Sequence, residues 1–94
     1  MIVLVTGSSG FSGQVLIPKL RTLGYEVIGI DYKSGPYTTK VIDISKPFTI
    51  EQNVETVIHL AARLEHDRCS SKEYHETNVE GTKNVLDIAL KDHA

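Results

Sequence analysis

Short apolar runs alternate along the chain with stretches in which apolar residues recur at helical spacing. Four runs rich in β-branched residues predict β-strands at residues 2–5, 26–30, 40–44 and 55–60. The first run is continuously apolar, which is typical of a strand buried on both faces of a parallel sheet. We therefore expect a parallel sheet of about four strands.

The segment after the first predicted strand has the pattern of a helix. Gly24 follows it at the position where a left-handed C-terminal cap would lie. Pro18 lies inside the segment and should remove one backbone hydrogen bond and bend the helix. The apolar positions at helical spacing are Phe11, Val15, Leu16, Leu20 and Leu23.

A second long helix is predicted near the end of the sequence. Ser70, followed three residues later by Glu73, forms a capping-box pattern, and the helix should run to about Lys91. Between the third and fourth strands, residues 46–53 are expected to form a weak helical turn or two. One face of the long helix would carry Tyr74, Gly81, Val85 and Ile88.

The order of these elements predicts the fold class. Strands alternating with helices indicate a parallel sheet with right-handed crossovers and helices packed on its faces. No internal repeat, low-complexity tract or linker interrupts the pattern, and 94 residues suit one small domain. We expect a doubly wound α/β fold with flanking helices.

The sharpest chemical signal lies between the first strand and the first helix. Residues 6–13 read Thr-Gly-Ser-Ser-Gly-Phe-Ser-Gly, which places glycines at positions 7, 10 and 13. A tight turn, close approach of the backbone to a pyrophosphate, and close packing of helix on sheet each require a residue without a Cβ atom. The helix N-terminus then offers N–H groups and partial positive charge to phosphates. Taken alone, the pattern could also mark a flexible turn.

Asp31, at the end of the second predicted strand, supports the same interpretation. A carboxylate there can accept hydrogen bonds from adenosine ribose hydroxyls, although a lone Asp31 could be a solvated turn residue. Strand, glycines, helix, strand and acid in this order favour dinucleotide binding. The pattern is not a P-loop because Gln14 rather than lysine follows Gly13, and Ser8 replaces the second glycine of the GxGxxG spacing.

Composition and charge narrow the range of partners. The chain is 40% apolar and 23% charged, as in an ordinary globular protein, and its net charge of -2 includes no basic run that would attract nucleic acid. The first apolar run breaks at Thr6, far short of a membrane span, and no basic signal-peptide region precedes it. Cys69 has no second cysteine with which to form a disulfide. These features predict a cytoplasmic protein without nucleic-acid or membrane partners.

The chain resembles the N-terminal portion of the extended short-chain dehydrogenase/reductase superfamily, which includes NAD-dependent epimerases and dehydratases of sugar nucleotides. The matching residues follow the family's order over nearly the whole chain. They are the glycine pattern at 6–13, Asp31, Asp43-Ile44, His59-Leu60-Ala61-Ala62, and Asn-Val-Glu-Gly-Thr-Lys-Asn-Val-Leu at 78–86.

The resemblance implies a partial NAD(P)-binding Rossmann fold and assigns residues to the cofactor. Phe11 and Ser12 would cover the pyrophosphate. Asp43 and Ile44 would line the adenine, and Asn78 would lie beneath the cofactor and help to fix the active-site backbone. Leu60, Ala61 and Ala62 would run beneath the nicotinamide. The full set of candidates is Gly7, Ser9, Gly10, Phe11, Ser12, Gly13, Asp31, Tyr32, Asp43, Ile44, Leu60, Ala61, Ala62 and Asn78.

Several alternatives stay open. Residues 57–62 could be a buried strand running into a loop, and Asn78 and Gly81 could simply allow a helix close to the sheet. Asp31 would repel a 2′-phosphate and therefore favours NAD over NADP, but Lys33 nearby could offset part of that repulsion.

A metal site is not expected. His66, Cys69 and His75 lack the spacing of metal ligands, and they are interpreted as residues of a solvated loop and helix start.

The family's chemistry needs a Tyr-x-x-x-Lys pair, in which the lysine lowers the pKa of the tyrosine. No tyrosine of this sequence has a lysine four positions later. We therefore expect this pair and the substrate-binding portion to lie beyond Ala94, so that residues 1–94 form an incomplete dinucleotide-binding domain. Alone, the chain should bind NAD weakly and catalyse nothing, and its open sheet edge could permit self-association.

The leading hypothesis is the cofactor module of an NAD-dependent epimerase, dehydratase or dehydrogenase that acts on a sugar nucleotide or a similar hydroxyl or keto substrate. A small-molecule substrate would bind only in a longer parent protein. The alternatives are a non-catalytic dinucleotide-binding sensor or scaffold, and an NADP-linked reductase.

Overall fold

The computed structural model describes residues 2–61 and 71–92. The described chain contains four strands and three α-helices, and a π-helical turn joins the last two helices. The elements are β1 (Ile2–Thr6), α1 (Phe11–Thr22), β2 (Glu26–Asp31), β3 (Lys40–Val41), β4 (Thr56–His59), α2 (Ser71–His75), the π turn (Glu76–Glu80) and α3 (Gly81–Asp92).

The four strands form one parallel sheet in the order β3-β2-β1-β4. From β1 the chain builds β2 and then β3 on one side, and it returns to place β4 on the other side of β1. In register, Thr6 at the end of β1 lies opposite Ile30 of β2 and His59 of β4. The carboxyl ends of these strands therefore meet where the direction of winding reverses, as in half of a doubly wound Rossmann sheet. The predicted fold class is confirmed.

Helices cover both faces of the sheet because successive strand residues point to opposite sides. Leu4 of β1 belongs to a cluster with Val85 and Ile88 of α3. Val3, on the other face of the same strand, belongs to a cluster with Ile17 of α1. β1 is thus buried on both faces, as its continuous apolar run predicted.

The ends of helix α1 match the sequence prediction, but its buried face does not. Of the apolar positions named above, Phe11, Val15 and Leu23 are exposed, and Gly13 and Ile17 are buried instead. The helix begins after Gly10, runs through Pro18 as one helix and ends at Thr22. Gly24 follows with φ of +94°, a left-handed conformation that glycine adopts without steric cost, as expected for a C-terminal cap.

The third strand is shorter than predicted. It ends at Val41 instead of residue 44, because its neighbour β2 ends at Asp31 and offers no ladder partner further on. Ile42 N–H still donates to Asp31 O at 2.8 Å. Asp43 Oδ1 then accepts hydrogen bonds from the N–H and the hydroxyl of Ser45, at 3.0 and 2.7 Å, and this local bonding turns the chain.

The helical turns predicted at residues 46–53 are wrong, because that segment contains no helix. It is part of an irregular connection before β4. This connection carries Ile50 and Val54 into the core on the α3 side, where both are almost fully buried. Val54 N–H donates to Asp92 Oδ2 at 3.1 Å, and Glu55 N–H donates to Ile2 O at 2.9 Å. Tertiary burial outweighs the weak tendency of a short segment to form a helix.

The C-terminal helical segment is not one uniform helix. Gly81 N–H donates to Glu76 O, five residues earlier, and this bond makes a π turn between α2 and α3. Gly81, Val85 and Ile88 are buried on one face as predicted. The predicted cap residue Ser70 and the side chain of Tyr74 lie outside the described part. No helix among the described residues is both long and apolar enough to cross a membrane.

Candidate functional site

A cleft of about 520 Å³ opens at the carboxyl edge of the sheet. Its volume lies in the usual range for small-molecule and cofactor sites. Most of the predicted cofactor-binding residues share this cleft, although they come from four separate segments. Those that line it are Gly7, Ser9, Gly10, Phe11, Ser12, Gly13, Asp31, Tyr32, Asp43, Ile44, Leu60 and Ala61.

Ala62 lies outside the described residues, and Asn78 is the one described candidate that does not line the cleft. Asn78 lies in the π turn, where its carbonyl oxygen accepts a hydrogen bond from the Thr82 hydroxyl at 2.8 Å, and its neighbour Thr77 lines the cleft instead. No sequence pattern pointed to Thr77, because the π turn that presents it was not predicted.

Three further lining residues were not among the binding candidates. Ile30 and Ile42 directly precede Asp31 and Asp43, and Lys33 follows Tyr32. Their positions next to predicted residues at strand ends were the available signal.

The glycine-rich turn is held against the end of β4 by close backbone contact. Gly7 has φ of +77°, and a Cβ atom there would lie 2.9 Å from Ala61 N. At Gly13 a Cβ atom would overlap Gly7 O, so α1 could not approach the turn as closely with any other residue. The turn therefore brings the start of α1 and the end of β4 into one cleft.

The N-terminus of α1 opens into this cleft. The first bond at the helix start runs from Gln14 N–H to Gly10 O at 3.0 Å. The N–H groups of Phe11, Ser12 and Gly13 precede that bond, and such groups have no acceptor within their own helix. Together with the helix dipole, they can bind an anionic group. The Phe11 side chain is 88% exposed beside them.

Asp31 is a buried carboxylate whose orientation is fixed by the backbone. Asp31 is only 8% exposed, and its Oδ2 atom accepts a hydrogen bond from Ser9 N–H at 3.0 Å. Oδ1 accepts a second bond from Lys33 N–H at 3.3 Å. An ionised carboxylate has about four acceptor positions, so it can accept further bonds from hydroxyl groups in the cleft.

The segment after β2 packs against the glycine-rich turn. The hydroxyls of Ser8 and Thr38 share a hydrogen bond of 2.7 Å, and the Ser9 hydroxyl donates to Lys33 O at 3.2 Å. Lys33 Nζ lies 5.2 Å from the centroid of the Tyr32 ring, a cation–π contact at the cleft wall. These contacts connect the loop that follows Asp31 to the loop that leads into α1.

A hydrogen-bonded histidine lies behind the opposite wall of the cleft. His59 Nδ1 is 2.6 Å from Thr6 Oγ1, and His59 Nε2 is 3.0 Å from Thr82 Oγ1. Leu60 N–H and Ala61 N–H both donate to Thr6 Oγ1, at 3.0 and 3.1 Å. Burial disfavours the charged ring and lowers the pKa of His59 from its ordinary value.

Residues 2–61 and 71–92 contain no cluster of three or more side chains suited to hold a metal ion. His75 is an exposed residue of α2. The other two residues considered for metal binding, His66 and Cys69, lie outside the described residues.

The fold and the cleft define the class of protein. A parallel sheet wound to both sides of β1, a glycine turn leading into a helix, and an acid at the end of β2 characterise a Rossmann-type dinucleotide-binding fold. The chain belongs to the NAD dependent epimerase/dehydratase family, whose model matches residues 3–94.

Three relatives show the range of proteins similar to this chain. A 3-beta-hydroxysteroid dehydrogenase of Mycolicibacterium neoaurum is 35% identical over 99 residues, which cover 89% of this chain and 27% of that protein. The structure of a UDP-galactose 4-epimerase gives a TM-score of 0.86 at 30% identity and covers 100% of this chain and 36% of that one. The structure of a short-chain dehydrogenase/reductase superfamily protein from Agrobacterium tumefaciens, with bound NAD, gives a TM-score of 0.81 at 29% identity. The match covers 98% of this chain and 30% of that one. The chain thus spans less than a third of the curated relatives it matches.

Proposed function

We propose that these 94 residues form the NAD-binding N-terminal part of a single dinucleotide-binding domain. The observation that carries the proposal is the pairing of two groups in one cleft. The Asp31 carboxylate, held by the N–H groups of Ser9 and Lys33, faces the same space as the N-terminus of α1. A dinucleotide needs both, since one binds ribose hydroxyls and the other binds pyrophosphate. The bound NAD of the Agrobacterium tumefaciens relative supports NAD as the cofactor.

The pyrophosphate would bind at the start of α1. The N–H groups of Phe11 and Ser12 can donate to its oxygens, and the glycine at position 10 leaves room for close approach. Ser9 N–H already donates to Asp31, so it contributes by orienting the acid. The exposed Phe11 ring would cover the bound phosphates and thereby lose contact with water.

The two ends of the cofactor would lie on opposite sides of this helix start. Tyr32, Asp43 and Ile44 would surround the adenine and its ribose. Leu60 and Ala61, with Ala62, would lie beneath the nicotinamide. Asn78 would act through the backbone of the π turn, because its carbonyl bonds Thr82 while Thr77 lines the cleft.

Asp31 would select NAD over NADP. The carboxylate accepts hydrogen bonds from two ribose hydroxyls of NAD, whereas a 2′-phosphate would bring like charges together in a largely buried place. The ammonium group of Lys33 lies against the Tyr32 ring at the cleft wall. NADP-linked reduction is therefore the less favoured alternative.

For the whole protein we propose interconversion of hydroxyl and keto groups by hydride transfer. The similar proteins include a UDP-galactose 4-epimerase and a 3-beta-hydroxysteroid dehydrogenase, whose names indicate different substrates. A sugar nucleotide is the proposed substrate class, because the structure of a UDP-galactose 4-epimerase matches the full chain with a TM-score of 0.86. Since the 94 residues contain no Tyr-x-x-x-Lys pair, residues outside them would transfer the proton, in a protein that we expect to be cytoplasmic.

The test is the cofactor preference of Asp31→Ala measured by calorimetric titration of the 94-residue chain. Wild type is expected to bind NAD more tightly than NADP. The variant should lose roughly 10- to 100-fold in NAD affinity, since hydrogen bonds to a charged group contribute on the order of 1.5–3 kcal/mol, and the ratio should move toward NADP.

Asp87→Ala is the matched control, because it removes one exposed carboxylate of α3 away from the cleft. It should leave both affinities at the wild-type level. An unchanged NAD to NADP ratio in Asp31→Ala would show that the carboxylate does not select the cofactor.

A further inference from the structure

One continuous chain of hydrogen bonds joins two walls of the cleft. On one wall, the N–H groups of Leu60 and Ala61 donate to Thr6 Oγ1. From there the chain passes through the His59 ring to Thr82 Oγ1. The Thr82 hydroxyl bonds the carbonyl of Asn78 in the π turn, and that turn presents Thr77 to the cleft.

The number of hydrogens available to this series of hydrogen bonds permits only one protonation state of the His59 ring. Thr82 donates its single hydroxyl hydrogen to Asn78 O, so it can only accept from His59, and Nε2 must carry a hydrogen. Thr6 Oγ1 accepts Ala61 N–H and shares Leu60 N–H with the Thr6 carbonyl, which lies 3.2 Å from Leu60 N. The Thr6 hydroxyl hydrogen then has Nδ1 as its acceptor, so Nδ1 must be bare. A neutral ring with its hydrogen on Nε2 satisfies every group.

Either other state breaks the chain. A hydrogen on Nδ1 would face the Thr6 hydroxyl, which would then have to accept a third N–H and leave its own hydrogen without an acceptor. The burial that lowers the pKa of His59 favours the same neutral form. The arrangement therefore needs an imidazole, which can accept on one side and donate on the other along one line.

We propose that His59 is a positioning residue that, as the Nε2–H tautomer, holds the Leu60–Ala61 backbone and the π turn in register at the nicotinamide side of the cleft. It contacts neither cofactor nor substrate and acts through Thr6 and Thr82. The proposal rests on the proposed function for its effect on NAD, but the tautomer itself does not depend on any ligand.

The first measurement is the protonation state of the ring in the 94-residue chain without ligand. Long-range ¹H–¹⁵N spectra of ¹⁵N-labelled protein at neutral pH distinguish the two neutral tautomers from the charged ring. The His59 signals are assigned by their loss in His59→Asn. The expected result is the Nε2–H tautomer, and either a hydrogen on Nδ1 or a charged ring would overturn the proposal.

The second measurement compares Thr82→Val with Thr82→Ser. Valine keeps the shape of threonine but removes both hydrogen bonds, whereas serine keeps the hydroxyl. Thr82→Val should weaken NAD binding by roughly 3- to 10-fold, the loss of about one hydrogen bond, while Thr82→Ser should bind as wild type does. ADP-ribose, which lacks the nicotinamide, should bind equally to all three proteins.

Comparing NAD with ADP-ribose distinguishes a positioning effect at the nicotinamide side from a general loss of structure. An equal loss of affinity for NAD and ADP-ribose in Thr82→Val, or no loss for either, would overturn the positioning role. Failure of the wild-type protein to bind NAD would instead overturn the proposed function. The measured tautomer of His59 would still test the series of hydrogen bonds, because it does not depend on a ligand.

Discussion

At the scale of single residues, the glycine-rich turn combines one conformational requirement with one steric requirement. Gly7 needs a positive φ and contacts the backbone of Ala61, while Gly13 lies against Gly7 O with no room for a side chain. Gly10 differs from both, because its φ is -76° and an added Cβ atom would meet only Gly7 O, at 3.3 Å. The three glycines therefore differ in what they tolerate.

This difference predicts the result of two alanine substitutions. Gly13→Ala should destabilise the fold by about 1–3 kcal/mol, since the methyl group would push α1 away from the turn. Gly10→Ala should change the stability by much less, because its extended backbone suits alanine. Urea denaturation followed by circular dichroism measures both, and equal losses in the two variants would contradict the close packing at Gly13.

The His59 ring makes a prediction about pH. Burial lowers the pKa of His59 in the folded state below its ordinary value of 6.5, so the unfolded chain takes up this proton first as the pH falls. The neutral ring's contribution to stability is therefore fully present above about pH 6.5 and is lost as the pH falls through the lowered pKa of the folded state.

The measurement is the urea midpoint at pH about 7.5 and about 5.5 for wild type and His59→Asn. The midpoint should fall more in wild type than in the variant, because the variant lacks this titration and keeps all the others. A fall of equal size in both proteins would contradict the account of His59.

Residues differ in how readily the sequence discloses their role. The place of Asp31 at the cleft could be predicted because it lies at the end of the strand after the glycine turn. The bonds of His59 could not, since its partners Thr6 and Thr82 lie on β1 and α3 and meet the ring only after the sheet and helix have packed. Hydrogen-bond partners that are distant along the chain leave no local pattern.

At the scale of elements, β1, α1 and β2 were predicted within one residue of their observed ends. Their ends are marked by local sequence features, namely continuous apolar runs, the glycine turn and the C-terminal cap. The predictions are wrong where contacts between distant parts of the chain determine the secondary structure. β3 ends early because β2 has ended, and the segment carrying Ile50 is drawn out by burial in the core instead of coiling into a helix. The π turn at Glu76–Glu80 likewise had no counterpart in the apolar periodicity.

Strand β4 and helix α3 form an apolar margin of the described fold. Among the described residues β4 pairs only with β1, and a cavity of about 330 Å³ lies between β4 and α3. Leu86 of α3 lines this cavity and is 56% exposed. We propose that this margin, the outer edge of β4 with Leu86, associates with a second copy of the isolated chain, since unpaired strand edges and apolar patches promote association.

Sedimentation velocity tests this proposal through Leu86→Lys. Wild type should show concentration-dependent association, and the variant should shift toward monomer because a lysine in the contact would have to lose its water. Leu23→Lys is the control, since Leu23 is 73% exposed at the end of α1, and it should associate as wild type does. A monomeric wild type at all concentrations would exclude self-association.

At the scale of the whole molecule, the described chain is half of a doubly wound sheet with a cofactor cleft at the point where the winding reverses. Each face has its own core cluster, which gives the cleft a rigid floor made of β1 and its two neighbours. The fold class could be predicted because strand and helix patterns alternate along the sequence. The glycine turn and Asp31 could be predicted from the residue pattern. Asp43 and Leu60 could be predicted as lining residues only through the family resemblance, since they come from loops with no binding pattern of their own.

The most direct test of the central claim is the titration of the ¹⁵N-labelled 94-residue chain with NAD. We predict saturable binding with shifts at the amides of Phe11 and Ser12 and at Leu60 and Ala61, because these residues line the cleft where the pyrophosphate and the nicotinamide are proposed to bind. Saturable binding with those shifts would establish a cofactor site at the carboxyl edge of the sheet. A chain that unfolds cooperatively yet shows no saturable shift at these amides would contradict the assignment of NAD to this cleft.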